Sequence, residues 1–130
     1  MSDEAREWLK YAQENRQVSR LSLGQGLFNA CLQNAQQAVE KALKAACVSK
    51  GLHAKKTHSV RELRNDLKRI GSEVGLEDTD CDLLDSIYLP SKYPLGSALP
   101  DFAPDEALAR QCLSIADRVV LAVERMVIRT

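Results

Sequence analysis

Between Gln25 and Lys50, small and apolar residues recur at steps of three and four without a break: Phe28, Cys31, Ala35, Ala38, Ala42 and Ala45. That period belongs to an α-helix with one buried face. Leu32, Val39, Leu43 and Ala46 widen the stripe. A face lined with alanine lets a neighbouring backbone approach closely, so the spacing predicts the organising helix of a bundle. Gly51, directly after Lys50, suits the left-handed position that closes a helix.

Four further helices can be read around this one. The first is expected from about Asp3 to Ser19, with Ser2 as its N-cap, Asp3 and Glu4 at the positive end of its dipole, and Ala5, Trp8, Leu9 and Ala12 on one face. Ser22, Gly24 and Gly26 are read as its end. Ser59-Val60-Arg61-Glu62 has the form of a capping box and opens a helix through Val60, Leu63, Leu67 and Ile70. Asp78, Thr79 or Asp80 is expected to cap a short helix carrying Leu83, Leu84, Ile87 and Tyr88, terminated by Pro90. A Pro-rich loop follows to Ala103. Pro104 is then placed at the first helical position of a last helix bearing Ala109, Cys112, Ala116, Val119, Val123 and Met126, with Leu113, Val120 and Val127 beside them. Aromatic residues are only 5% of the chain and runs of β-branched residues are absent, so strands have little to build on. The reading is all-α: an up-and-down bundle of four to five helices, as one domain over residues 1–130.

Composition narrows the function classes. Lys plus Arg and Asp plus Glu number eighteen each, so no bulk charge draws the protein to nucleic acid or an anionic membrane, which argues against RNA. No apolar run approaches the roughly 20 residues that span a bilayer. The polar, acidic start Met1-Ser2-Asp3-Glu4 is unlike a targeting peptide, so a cytoplasmic location is expected. Cys31, Cys47, Cys81 and Cys112 form no CxxC pair and are read as free thiols acting as small hydrophobes. His53 and His58 have no ligand-spaced partners, so neither a zinc site nor any other cofactor is expected.

Two places carry candidate chemistry. Gln33, Gln37, Glu40 and Lys44 form a polar row on the second helix, flanked by Gln36 and Lys41. The row either lines a nucleotide or partner groove or is a solvated face with a Glu40–Lys44 pair. Lys92 and Tyr93 lie on the Pro-stiffened loop, where a cation and a ring can contact a phosphate and stack a base; equally, Tyr93 can pin the loop to the bundle. His58, just before the capping box, is read chiefly as packing against the second helix or capping a helix end. The wide apolar stripes of the second and last helices suggest surface left over for a homodimer.

The run Gln36-Gln37-Ala38-Val39-Glu40-Lys41-Ala42-Leu43-Lys44, then Thr57-His58-Ser59-Val60, Tyr88, Lys92-Tyr93-Pro94 and Pro104-Asp105-Glu106-Ala107 follow one another in an order that resembles the HEPN family (higher eukaryotes and prokaryotes nucleotide-binding). The resemblance spans Trp8 to about Val123. It implies a bundle of four to five helices, a homodimer, and in many prokaryotic members a minimal nucleotidyltransferase partner in a two-component, toxin–antitoxin-like system. It also marks Gln37, Glu40, Lys41, Lys44, His58, Tyr88, Lys92 and Tyr93 as ligand-binding candidates. Other members are metal-independent ribonucleases with an Arg and a His separated by four to six residues. Here the corresponding positions before His58 hold Gly51, Leu52 and His53, and those before His53 hold Ala46, Cys47 and Val48. After Lys92-Tyr93-Pro94 the histidine positions hold Ser97, Ala98 and Leu99, none of which titrates near neutrality. The sequence therefore favours a non-catalytic nucleotide-binding module, with a degenerate ribonuclease or a purely structural interaction domain as alternatives.

Overall fold

The Ser2 hydroxyl accepts the Ala5 backbone N–H at 3.2 Å and starts the first helix as its sequence requires. The computed structural model describes residues 2–92 and 104–128, and only the backbone of 89–92. It contains α1 (Asp3–Gly24), α2 (Phe28–Ser49), α3 (Val60–Arg69), α4 (Asp78–Lys92) and α5 (Glu106–Ile128), with no strand among the described residues. The protein is an all-α helical bundle.

α2 packs against all four other helices: α1 and α5 close one side of it, while α3 and α4 form a hairpin on the other. Thirteen of its 22 residues are buried, and of the rest only Asn29 is exposed. The predicted seam is the core of the molecule. Cys31, Ala35, Ala38, Ala42 and Ala45 are fully covered, as are Leu32, Val39, Leu43 and Ala46 on its flanks. The α5 stripe from Ala109 to Val127 is likewise covered, apart from Met126. The single chain thus buries most of both stripes, with Phe28 and Met126 left partly exposed. The exposed large apolar side chains lie elsewhere, chiefly Leu21, Leu27 and Ile128.

Four element boundaries differ from the sequence reading. α1 does not stop at Ser19 but runs to Gly24, because Ser19 and Ser22 continue its buried face. The Ser19 hydroxyl donates to the Cys31 carbonyl at 2.8 Å, which ties α1 to α2. The true stop is Gly26, whose φ of 74° permits paired bonds from Gly26 and Leu27 N–H to Leu23 and Ser22 carbonyls. α2 accordingly begins at Phe28 rather than Gln25. Pro90 does not terminate α4: it lies in the final turn, where its missing N–H forfeits a single helical bond. Pro104 precedes α5 instead of opening it. Asp105 is the cap, its carboxylate accepting Leu108 N–H at 2.8 Å.

Candidate functional site

The row on α2 is buried rather than solvated. Side-chain exposure is 4% for Glu40 and 8% for Lys44, and the two form an ion pair at 3.2 Å. The axis of the row is Gln36–Glu40–Lys44, one residue aside from the Gln33–Gln37 edge favoured by the sequence. Gln36 is buried, and Gln33, Gln37 and Lys41 are half-buried. The row itself is legible in the sequence, but its burial is not: the i,i+4 spacing of Gln36, Glu40 and Lys44 fits a solvated face equally well.

Every buried side-chain nitrogen and oxygen of this cluster has a partner. Gln37 Nε2 donates to Gln36 Oε1 at 2.7 Å, and Gln36 Nε2 reaches both Glu40 Oε1 at 3.4 Å and the His58 carbonyl at 3.3 Å. Glu40 Oε1 also meets His58 Nδ1 at 3.1 Å. The Lys44 ammonium lies over the Trp8 ring, 5.2 Å from its centroid, so α1 closes the inner end of the row. One turn away on the same pair of helices, Lys41 donates to Asn15 Oδ1 at 2.9 Å and stands 6.0 Å from the Tyr11 centroid.

His58 brings this buried chemistry to the surface. Its ring stacks on Tyr88 with centroids 4.5 Å apart and planes 15° from parallel. The expected packing against α2 is present, through both its ring nitrogen and its carbonyl. Tyr88 is delivered by a separate device. Asp85, one turn earlier on α4, accepts the Val60 N–H at 2.6 Å, the Arg61 N–H at 3.3 Å and the Ser59 hydroxyl at 3.1 Å. A carboxylate at the positive end of α3 binds α4 to the segment that carries His58, so Tyr88 meets His58. Ser59 caps as predicted, accepting Glu62 N–H at 3.1 Å. The reciprocal half of the box is taken over by Thr57, whose hydroxyl oxygen accepts Ser59 N–H at 3.1 Å.

The structure therefore gathers Glu40, Lys44, His58 and Tyr88, with Gln37 and Lys41 at the margin. Lys92 is the last residue of α4, its side chain outside the described residues, and Tyr93 and the loop to Ala103 lie outside them altogether. Trp8 and Gln36 are not marked as site residues by the sequence, and Asp85 gives no sequence signal because its partners are 24–26 residues away. A depression along α1, lined by Lys10, Gln13, Arg16 and Arg20, is separate from this cluster. Its arginines are engaged with Asp117 and Glu124 on α5. Among the described residues no three His, Cys, Asp or Glu side chains are grouped to hold a metal ion. All four cysteines are free and buried. No helix among them is long and apolar enough to cross a membrane.

Comparison with known proteins agrees with this architecture. No curated protein matches the chain significantly. The crystal structure of TT1696 from Thermus thermophilus superposes with a TM-score of 0.77 at 28% identity, covering 95% of this chain and 98% of that one. ST0689, described as an archaeal HEPN homologue, gives 0.71 at 23% identity over 97% and 99% of the two chains. A HEPN domain protein of Thermotoga maritima, tm0613, gives 0.53 at 22% identity over 95% and 92%. At these identities the last two speak to the fold alone. The HEPN domain model matches residues 5–126, and this chain belongs to the HEPN domain family.

Proposed function

We propose that this protein is a non-catalytic HEPN-type binding module that forms a homodimer, partners a minimal nucleotidyltransferase and takes a nucleotide at the Glu40–His58–Tyr88 cluster. The observation that carries the reading is the enclosed Glu40–Lys44 pair, whose hydrogen-bonded chain comes to the surface at an exposed histidine stacked on a tyrosine. A buried ion pair contributes little net stability compared with apolar residues of the same volume. A surface ring anchored to it, by contrast, is held in one orientation, as a ligand platform needs.

The same geometry speaks against ribonuclease chemistry. Cleaving a phosphodiester needs a base and, in addition, a cation or donor aimed at the phosphate. His58 backed by Glu40 could serve as the first. Lys44 and Lys41, the cations of the row, are committed to Glu40 and Asn15, and the family's Arg-to-His spacing is absent. Exposed Val18, Leu21 and Leu27 around the α1–α2 turn offer apolar surface for a second copy.

Thermal unfolding with a panel of nucleotides tests the binding role: occupancy at 100 times Kd should add about 2.7 kcal/mol. No stabilisation by any nucleotide would remove that role. Cleavage of tRNA or mRNA by the purified protein would replace the module with an enzyme. Light scattering showing only monomer at micromolar concentration would remove the homodimer. Failure to co-purify with a co-expressed minimal nucleotidyltransferase would remove that partner.

A further inference from the structure

The two faces of the His58 ring have different surroundings. One packs against Tyr88 at 4.5 Å. The side chain nevertheless keeps 56% of its exposure, so much of the ring beyond the Tyr88 contact is open to solvent. Nδ1 is fixed by Glu40, itself only 4% exposed, and the carbonyl is fixed by Gln36, so the ring cannot easily turn away. The two cations of the α2 row are otherwise occupied. Lys44 is enclosed between Glu40 and Trp8, and Lys41 donates to Asn15 beside the Tyr11 ring. A phosphate would have to displace one of these partners before it gained a charge-assisted bond from either. A flat aromatic ring would displace only water.

From this contrast we infer that recognition at the site is led by the base: a purine nucleoside or nucleotide stacks on the outer face of His58, making a third layer over the His58–Tyr88 pair. The phosphates contribute little. The inference rests on the nucleotide-binding reading above and specifies what that reading leaves open. A purine is favoured because its larger fused π-system gains more from stacking than a single ring does, while stacking as such tolerates any base. Glu40 is a positioning residue that acts through His58, and Nε2 is left to meet a sugar hydroxyl.

Calorimetric titration of the full chain with adenosine, AMP, cytidine and ribose 5-phosphate tests the idea. Adenosine and AMP should bind within about threefold of each other, cytidine should bind more weakly, and ribose 5-phosphate should give no heat. His58→Ala should weaken adenosine by roughly 10- to 100-fold, whereas His58→Phe, which keeps a stacking ring but loses the Glu40 anchor and Nε2, should lose clearly less than His58→Ala. His58 is exposed, so both variants should fold, which circular dichroism verifies. AMP binding without adenosine binding, ribose 5-phosphate binding as tightly as AMP, or cytidine binding as tightly as adenosine overturns the base-led inference while nucleotide binding stands. Equal losses in His58→Ala and His58→Phe, or no loss in His58→Ala, also overturn it. If none of the four probes binds and no other nucleotide stabilises the fold, the nucleotide reading itself falls.

Discussion

The Glu40 carboxylate sits between two nitrogen partners of opposite exposure: Lys44 at 3.2 Å, almost fully enclosed, and His58 at 3.1 Å, largely in solvent. Removing the carboxylate leaves a buried ammonium facing only Trp8. Glu40→Ala is therefore expected to lower the unfolding free energy by about 3–5 kcal/mol, as breaking one side of a buried pair does. Glu40→Leu with Lys44→Met should recover most of that loss, because no charge remains to desolvate. Urea denaturation at constant m-value separates the cases. Equal losses in the single and double variants would mean that an orphaned charge is not the cause.

Asp85 is the long-range cap of α3, and its effect should exceed that of the local cap. Asp85→Ala leaves the Val60 and Arg61 N–H groups without their carboxylate, an expected cost of about 1–2 kcal/mol, against about 1 kcal/mol or less for Ser59→Ala. Hydrogen exchange at Val60 and Arg61 should quicken specifically in the Asp85 variant. Because Asp85 also holds α4 beside His58, nucleotide binding should weaken in Asp85→Ala and stay near wild type in Ser59→Ala. The reverse order would place the anchor of Tyr88 elsewhere.

What the sequence could show, and what it could not, follows from the range of each interaction. The α2 seam, the Ser2 and Ser59 caps and the Gly51 stop are local patterns, and they stand in the structure as read. The end of α1 is hidden because Ser19 and Ser22 resemble a break in composition, yet they fit the close α1–α2 contact as small residues. Glu40 and Lys44 are legible as an i,i+4 pair but not as buried, since burial depends on the His58 segment and α4 folding over them. Leu63 and Leu67 are buried as expected, but Ile70 is about half exposed, because α3 ends at Arg69 and releases it. No pattern within a helix could join Asp85 to Val60.

Burial pushes the Cys112 thiol up to about 12 and the Cys47 thiol, with Asp66 adding to the effect, up to about 11, from an ordinary 9.0. Cys31 and Cys81 are raised for the same first reason, desolvation. A raised folded value means that the unfolded chain loses its thiol protons first. Stability from these groups is thus complete below pH 9 and declines as pH climbs toward 11–12. Native protein at pH 8 should resist iodoacetamide, while the guanidinium-unfolded chain exposes all four thiols. Cys112→Ala should cost stability at neutral pH but flatten the alkaline decline. Rapid labelling of the native protein would contradict this enclosure.

The acid limb should be set by two aspartates paired at opposite ends of α3. Hydrogen bonding from Lys55, and then from Arg69, holds the Asp66 carboxyl below its ordinary 3.8, and Arg64, with Arg61 behind it, does the same for Asp78. A lowered folded value reverses the linkage: the stabilisation is present above pH 3.8 and is lost as pH falls through the lower folded values. Asp66→Asn and Asp78→Asn should each flatten the stability profile below about pH 4. Salt should soften both pairs, because each has one exposed partner: Lys55 is 46% exposed beside Asp66 and Asp78 is 70% exposed beside Arg64, and in about 1 M NaCl the screening length is roughly 3 Å. The Arg64 guanidinium itself is 7% exposed and also donates to the Leu76 carbonyl at 3.0 Å. An acid transition that is identical in wild type and both asparagine variants would show that these pairs do not set it.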